Sequence, residues 1–174
     1  MTTKSQPNSA TTDAAIIADS SPLISLAILE QLELLTQLYQ RVLIPPAVWS
    51  EVTVQGAGLP GSLAVSQAAW LDIQTPDPGI LQPLAILVDR GEAEAIALAQ
   101  SVSNSIVLLD DARARRVAER FGMRCIGTIG ILRRAKRAGL ISDIKPYVRQ
   151  LQNSGIFIAP NLVEAVLRDV GELS

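Results

Sequence analysis

Short apolar runs alternate along the chain with segments in which apolar residues recur every three or four positions. The runs have the composition of parallel strands buried on both faces, and the periodic segments are typical of the helices that cover such strands. This order of elements predicts an α/β fold, with a central parallel sheet between two layers of helices. Strands are predicted over 14–18, 42–44, 70–74 at an edge of the sheet, 106–109, 123–126 and 156–158.

Two sequence signals predict where particular helices begin. Ser21 and Pro22 have the pattern of a helix N-cap followed by proline at the first helical position. Asp89 precedes Glu92 by the capping-box spacing, which predicts the start of an alanine-rich helix over 92–101. Further helices are predicted over about 23–29, 32–39, 47–54, 61–69, 80–88, 112–121 and 131–138, from 142 onwards, and over 160–170.

The length of 174 residues predicts a single domain over 14–174, with a core at about 15–140 and a helical extension at about 141–174. Residues 1–13 lack the basic start and apolar stretch of a signal peptide, so we expect a disordered tail there. No apolar run approaches the roughly 20 residues that a membrane helix requires. The single cysteine, Cys125, excludes an intramolecular disulfide and is typical of a reducing compartment, so we expect a cytoplasmic protein.

The chain contains no histidine and one cysteine. This excludes Ser-His-Asp triads, Cys-His pairs, histidine-containing zinc sites and thiolate-rich metal sites. The phosphate-binding loops G-x-x-x-x-G-K-[ST] and G-x-G-x-x-G are also absent. Catalysis would therefore use carboxylates, a lone hydroxyl or lysine, or a hard cation held by oxygen ligands.

The net charge of −2 favours no particular partner, but the charge is unevenly distributed. Residues 112–137 contain nine of the fifteen basic residues and one acid, Glu119, which gives +8 and leaves −10 on the rest of the chain. A basic segment of this kind is typical of proteins that bind a polyanion. The same arginines could equally be the solvated faces of two helices.

Acidic residues follow two of the predicted strands directly. Asp19 comes after the run 14–18, and Asp110 and Asp111 come after the run 106–109. In parallel α/β sheets, ligands bind at this carboxyl edge of the strands. Aspartate also commonly caps the helix that follows a strand, and one residue of the pair can cap the helix that starts near residue 112. The other residue of the pair then needs a different explanation.

Two glutamates are further candidates for the same site. Glu94 lies in a helix so apolar that its side chain should be buried, and an unpaired buried carboxylate costs several kcal/mol. Glu92 already has a capping role, and residues two apart on a helix differ by about 200° in direction, so Glu94 is favoured as the site residue. Glu51 lies one turn into a short helix, where a solvent-facing position is an equally good interpretation.

These acids lie in four sequence blocks. The blocks are Asp19 followed by SSPLISL at 20–26, IPPAVWSEV at 44–52, DRGEAEAIALA at 89–99 and LLDDARARRVA at 108–118, and GTIGIL at 127–132 follows them. Over roughly residues 15–140 the chain resembles the PIN-domain nucleases, and specifically a VapC-like toxin subgroup. The resemblance implies a three-layer α/β/α sandwich around a central parallel sheet.

The resemblance also implies a cluster of three or four acids that binds one or two Mg²⁺ or Mn²⁺ ions. The implied metal ligands are Asp19, Glu94 and one of the pair Asp110 and Asp111, and which member of the pair binds the ion stays open. Glu51 joins these residues as an implied catalytic acid. The implied supporting residues are Ser20, Ser21, Glu92 and Thr128.

The implied activity is Mg²⁺-dependent endoribonuclease cleavage of RNA phosphodiester bonds, by the toxin of a type II toxin–antitoxin pair. Arg113, Arg115 and Arg116 are placed to hold the RNA backbone. The expected partners are the RNA substrate, a small antitoxin protein and a second copy of the chain in a homodimer. The alternative is a catalytically idle PIN-like module that binds RNA or protein. It predicts an incomplete acid cluster, for instance with Glu51 pointing to solvent.

Overall fold

The computed structural model describes residues 11–173 and contains a five-stranded sheet in the order β3-β2-β1-β4-β5. The strands pair in parallel and helices cover both faces, so the predicted three-layer α/β/α fold is confirmed. Most of the predicted tail, residues 1–13, lies outside the described residues, and the first strand begins at Thr12. The strands are β1 Thr12–Ala18, β2 Tyr39–Ile44, β3 Asp72–Ile73, β4 Ser105–Leu108 and β5 Arg124–Ile126.

The helices agree with the predicted ones to within a few residues at each end. The predicted helix over 47–54 consists of a short α-helix that continues into a π-helical segment, Ser50–Gln55. Within residues 11–173, none of the helices is both long and apolar enough to cross a membrane. The α-helices are α1 Ser20–Ile28, α2 Leu34–Leu38, α3 Pro46–Trp49, α4 Ser62–Gln67, α5 Pro78–Leu84, α6 Arg90–Ser101, α7 Ala112–Arg120, α8 Thr128–Arg137, α9 Lys145–Asn153 and α10 Pro160–Asp169.

The apolar residues of the sheet divide between two buried clusters, one on each face. In β1, Ile16 belongs to the cluster that contains the buried residues of α1, α2 and α8, whereas Ile17 belongs to the cluster that contains those of α6 and α7. Both side chains are fully buried. Because successive side chains of a strand point to opposite faces, a strand covered on both sides is apolar at every position rather than at alternate ones.

The carboxyl ends of β1 and β4 meet at one edge of the sheet. The backbone N–H of Asp19 donates to the carbonyl of Leu108 at 3.1 Å, which extends the pairing one residue beyond β1. The N–H of Leu109 donates in the same way to the carbonyl of Ile126 at 2.9 Å. Asp19 and the pair that follows Leu109 therefore leave the sheet at the same edge, as the sequence predicted.

The start of α1 differs from the prediction. The helix begins at Ser20, so the N-cap position belongs to Asp19 and not to Ser21, and no side chain caps the first turn. Asp19 continues the extended backbone of β1, with φ −85° and ψ 169°, so the strand passes into the helix without a connecting loop. By contrast, the capping box at the start of α6 is confirmed, because Asp89 and Glu92 each accept the backbone N–H of the other.

The segment 156–158 was predicted as a strand, and this prediction is wrong. The N–H of Ile156 bonds to the carbonyl of Leu151 near the end of α9, and within residues 11–173 no strand pairs with this segment. Ile158 is buried and Phe157 is exposed, which explains the alternating pattern. Alternation reports one packed and one free face, but it does not reveal whether another strand lies alongside to pair with the backbone.

Candidate active site

Asp19 and Glu51 bring their carboxylates together at Gly91. A Cβ atom built on Gly91 would lie 3.2 Å from Oδ1 of Asp19 and 3.2 Å from Oε2 of Glu51, so the two oxygens are no farther apart than twice that distance. Gly91 is the second residue of α6. Because glycine has no side chain, the backbone in the first turn of this helix can approach both acids closely. Any side chain at this position would press against both carboxylates.

Ser20 connects Glu51 to the end of the central strand. Its hydroxyl donates to Oε2 of Glu51 at 2.6 Å, across the gap between the start of α1 and the π-helical segment. Asp19, the preceding residue, is only 6 % exposed. Glu51 is exposed as a whole, but this hydrogen bond draws its carboxylate towards Asp19. Glu51 therefore does not simply point into solvent.

The pKa of Asp19 is raised from 3.8 to about 7. Burial is the main cause, the backbone N–H of Ser20 partly offsets it, and the negative charges of Glu92, Asp89 and Glu51 add to it. A carboxyl group that loses its hydration among other acids holds its proton more tightly. This edge of the sheet thus concentrates negative charge beyond what its own side chains neutralise.

Glu92 is the acid whose charge acts most strongly on Asp19, although its capping role explained it from the sequence alone. It is buried, and its bond from the N–H of Asp89 is long at 3.3 Å. Burial raises the pKa of Glu92, the charges of Asp89 and Asp111 also raise it, and Arg113 lowers it. Glu92 therefore combines a capping role with membership of the acid cluster.

Glu94 is buried, as its apolar helix predicted, but its two carboxylate oxygens accept hydrogen bonds from protein donors. Oε2 accepts the backbone N–H of Ala47 at 2.9 Å, and Oε1 accepts Nε–H of Arg90 at 3.1 Å. Ala47 lies in the first turn of α3, which continues into the segment that carries Glu51. Glu94 is not among the acids whose charges have the largest effect on the pKa of Asp19. Glu94 thus ties α6 to the element that positions Glu51.

Asp110 and Asp111 each fix the start of a different helix. The backbone N–H and the hydroxyl of Thr128 donate to the two oxygens of Asp110 at 2.7 and 2.6 Å, which holds the start of α8. Oδ1 of Asp111 accepts the N–H of Ala114 at 2.8 Å and caps α7. We expected only one residue of the pair to have such a role, and the structure gives one to both. Asp111 is the member whose charge reaches Glu92.

The arginines predicted to bind RNA divide between two locations. The aspartate pair lines a groove of about 1290 Å³, and Arg115, Arg116 and Ser21 also contribute to its lining. Arg113 is not part of the groove, and its charge instead acts on Glu92 in the acid cluster. Both locations lie beside the carboxyl edge of the sheet.

The donor chemistry of the site suits a hard divalent cation, but the arrangement is incomplete. The candidate donors are carboxylate oxygens, which Mg²⁺ prefers. In the part of the chain that the structure describes, no three acidic, histidine or cysteine side chains stand in an arrangement that could hold a metal ion. Asp19 and Glu51 approach each other at Gly91 and the charge of Glu92 acts on Asp19, whereas Glu94 and Asp110 are bonded to protein donors.

Comparison with known families identifies this architecture. A family model described as DUF3368, a PIN domain, matches residues 15–172. The chain belongs to the PIN-domain family. PIN domains are generally nucleases and typically bind divalent metal ions. The match runs from β1 through α10, and so extends beyond the core predicted at 15–140. No curated protein matches the chain.

Some residues of this PIN-domain site were not identified from the sequence, although the sequence contains signals for two of them. Gly91 was not singled out, yet a glycine in the first turn of a helix weakens that helix and often marks a close approach of the backbone. Arg90 and Glu94 have the i,i+4 spacing of a helical ion pair. The coupling of Glu92 to Asp19 has no comparable signal, because it depends on how α6 packs against the sheet.

We predict that Asp19→Asn stabilises the PIN domain at neutral pH in metal-free buffer. Folding raises the pKa of Asp19 from 3.8 to about 7, so the wild type loses stability as the pH rises between these values, and the asparagine variant does not. The difference in unfolding free energy should be small below about pH 4 and reach on the order of 4 kcal/mol above about pH 7. Urea unfolding of both proteins in EDTA measures it, and a difference that is independent of pH would contradict the prediction.

We also predict that Glu94→Gln and Glu94→Ala differ in stability. Glutamine keeps an oxygen for the N–H of Ala47 and loses only the pair with Arg90, whose side chain is 83 % exposed, so its cost should stay within about 1 kcal/mol. Alanine leaves that N–H without its acceptor and opens a cavity, which should cost about 2–4 kcal/mol. Thermal unfolding compares the two variants, and equal losses would show that the bond to Ala47 is unimportant.

Proposed function

We propose that this PIN domain is a divalent-metal-dependent endoribonuclease. The observation that carries the proposal is the convergence of Asp19 and Glu51 on Gly91, with Glu92 coupled to Asp19, at the carboxyl end of the central strand. Among residues 11–173, none of these three carboxylates forms a salt bridge. Carboxylates concentrated without a neutralising side chain are typical of sites that work with a bound cation.

In this proposal Asp19, Glu51 and Glu92 hold the ion, and Asp111 is the next candidate because its charge reaches Glu92. Asp110 is less suited, since both of its oxygens already accept hydrogen bonds at the start of α8. When bound, a divalent ion supplies an acidified water and stabilises the charge that develops on a phosphate. The protein's own contribution is to gather the acids and to bury Asp19 and Glu92 among them.

The substrate in this proposal is RNA, and the reaction is the attack of water on a phosphodiester bond that leaves a 5′-phosphate and a 3′-hydroxyl. The positive side chains of Arg115 and Arg116 line the groove, together with Asp110 and Asp111. They are positioned to neutralise backbone phosphates on either side of the bond that is cut. The whole chain contains no histidine, which excludes a histidine general base, and the proposal assigns this chemistry to the carboxylates.

We further propose that the protein is a VapC-like toxin of a type II toxin–antitoxin pair that acts in the cytoplasm. A small antitoxin and a second copy of the chain are the proposed protein partners. Val54, Leu59 and Leu63 are exposed around the loop that leads into α4, and they offer an apolar surface for such a partner. A short reading frame immediately upstream of the gene would support this part of the proposal.

The second candidate function is a catalytically idle PIN-like module that binds RNA or protein. It is favoured by the hydrogen bonds that occupy Glu94 and Asp110 and by the incomplete ligand set within the described residues. The two candidates differ in whether the acid cluster accepts a metal ion and cuts RNA, so one experiment separates them.

We predict that the purified protein cleaves a mixed RNA pool with Mg²⁺ or Mn²⁺ and not with EDTA. Asp19→Ala should lower the cleavage rate by about 100-fold or more, because it removes the most buried of the three proposed metal ligands, Asp19, Glu51 and Glu92. Asp13→Ala is the matched control, since Asp13 is an exposed acid on the same strand and should leave the rate unchanged. Rates are read from the loss of full-length RNA on a gel.

Two results would contradict this function. Cleavage that persists in EDTA and in the Asp19→Ala variant would separate the activity from the acid cluster. A wild type that binds RNA but cuts none with any divalent ion would favour the idle module.

A further inference from the structure

The groove lined in part by Asp110 and Asp111 contains more arginines than the three that the sequence analysis assigned to RNA binding. Two of its arginines come from α7, and four more come from β5 and α8. Residues from α1 and from the segments around α9 and α10 form the remaining walls. The six arginines that line it are Arg115, Arg116, Arg124, Arg133, Arg134 and Arg137.

Acidic side chains compensate only part of this charge. Arg133 and Arg137 share a single acid, Asp169, at 2.7 and 2.8 Å. Asp110, Asp111 and Glu119 also lie in the groove lining, so six arginines stand against four acids. Among residues 11–173, the other four arginines form no salt bridge. The groove therefore keeps an excess of positive charge.

Neutral hydrogen-bond acceptors hold two of these four arginines in place. Nη2 of Arg124 donates to the side-chain oxygen of Asn104 at 2.7 Å, and Nη1 of Arg134 donates to the hydroxyl of Tyr39 at 3.0 Å. The guanidinium of Arg134 also lies 5.2 Å from the centre of the Tyr39 ring. These contacts orient the side chains without neutralising them, which suits the binding of an anionic ligand.

Phe157 lies in the wall of the same groove and is 85 % exposed. Its neighbours hold it outward, because Ile158 is buried and the N–H of Ile156 is bonded to Leu151. A large aromatic ring turned towards solvent loses the burial free energy that such a side chain usually gains. Next to unpaired arginines, a free aromatic face is the arrangement that binds single-stranded nucleic acid, by base stacking together with phosphate contacts.

The size of the groove indicates a segment of a polymer. Its volume of about 1290 Å³ exceeds the roughly 300–1,000 Å³ that is typical of small-molecule sites. Asp19, Glu51 and Glu92 are not part of its lining, but Ser21, two residues after Asp19, and Asp111, whose charge reaches Glu92, are. A chain bound along the groove would therefore pass beside the carboxyl edge of the sheet at which the acid cluster lies.

We propose that this groove binds the single-stranded RNA next to the cut site, with one base stacked on Phe157 and the backbone phosphates held by Arg115, Arg116, Arg124 and Arg134. The proposal deepens the proposed nuclease function and rests on it for the identity of the substrate. It assigns a nucleic-acid-binding role to the segment between α9 and α10, to which the sequence had assigned a strand.

The test uses the full-length Asp19→Ala protein, in which RNA cleavage should be slowed by about 100-fold or more, and a short fluorescent single-stranded RNA in EDTA. Phe157→Ala should weaken binding by about 5- to 100-fold, and Phe157→Trp should preserve it, because tryptophan also stacks on a base. Phe121→Ala is the matched control: Phe121 is the other phenylalanine of the chain, is also exposed, and lies outside the groove lining. It should leave affinity unchanged.

Two further comparisons separate stacking from charge. An abasic oligonucleotide of the same length should bind the Phe157→Ala protein and its parent equally well, because it has no base to stack. Arg116→Gln should weaken both oligonucleotides and reduce the slope of log affinity against log salt by about 0.7. Arg120→Gln is its control, since Arg120 lies on the same helix, is exposed and does not line the groove.

Equal affinities of the Phe157→Ala and Phe121→Ala proteins would overturn the proposal, and so would an equal effect of Phe157→Ala on abasic RNA. A groove that binds acidic apolar peptides and no RNA would also overturn it and would assign the groove to a protein partner. Circular dichroism checks that each variant folds, and Phe157→Trp tests the role even where alanine disturbs the segment. If the wild type binds single-stranded RNA selectively but does not cut it, the groove proposal is supported and the nuclease function is contradicted. The failure of one proposal can therefore be distinguished from the failure of the other.

Discussion

The burial of a carboxylate at the end of the central strand constrains the whole carboxyl edge of this PIN domain. Strand β1 is covered on both faces and paired on both sides, so Asp19 leaves the sheet at a point that α6 and the π-helical segment already enclose. The carboxylate loses hydration there, and other acids surround it. Such a group either holds its proton or needs a cation. The elements around it are arranged to keep these acids together.

The acids of this edge serve two purposes at once. Asp110 and Asp111 fix the starts of α8 and α7, and Asp89 with Glu92 caps α6. The side chains that anchor these three helix N-termini are acidic, so they also make the local electrostatic potential more negative. Gly91 then allows the first turn of α6 to approach Asp19 closely. Structural capping and the concentration of negative charge are thus achieved by the same residues.

The sequence predicted the fold and this edge of the sheet because both follow from simple periodicity. Apolar runs such as 14–18 and 106–109 are typical of strands buried on two faces, and acids that directly follow parallel strands leave the sheet at the same edge. The roles of Glu92 and Glu94 were not predictable in the same way. Both residues are buried, and which of them is coupled to Asp19 depends on how α6 is rotated about its axis. The hydrogen bond between Thr128 and Asp110 depends on how β4 and β5 are aligned, and the composition of the chain does not reveal this alignment.

Crystals of the protein grown with saturating Mn²⁺ would locate a bound ion directly, through its anomalous scattering. The proposed site predicts an anomalous peak in contact with the carboxylate of Asp19 and with at least one of Glu51 and Glu92. The Asp19→Asn protein should lose this peak under the same conditions. A well-ordered wild-type crystal with no Mn²⁺ at Asp19, or with its Mn²⁺ bound only elsewhere, would contradict the proposal that this acid cluster is a metal centre.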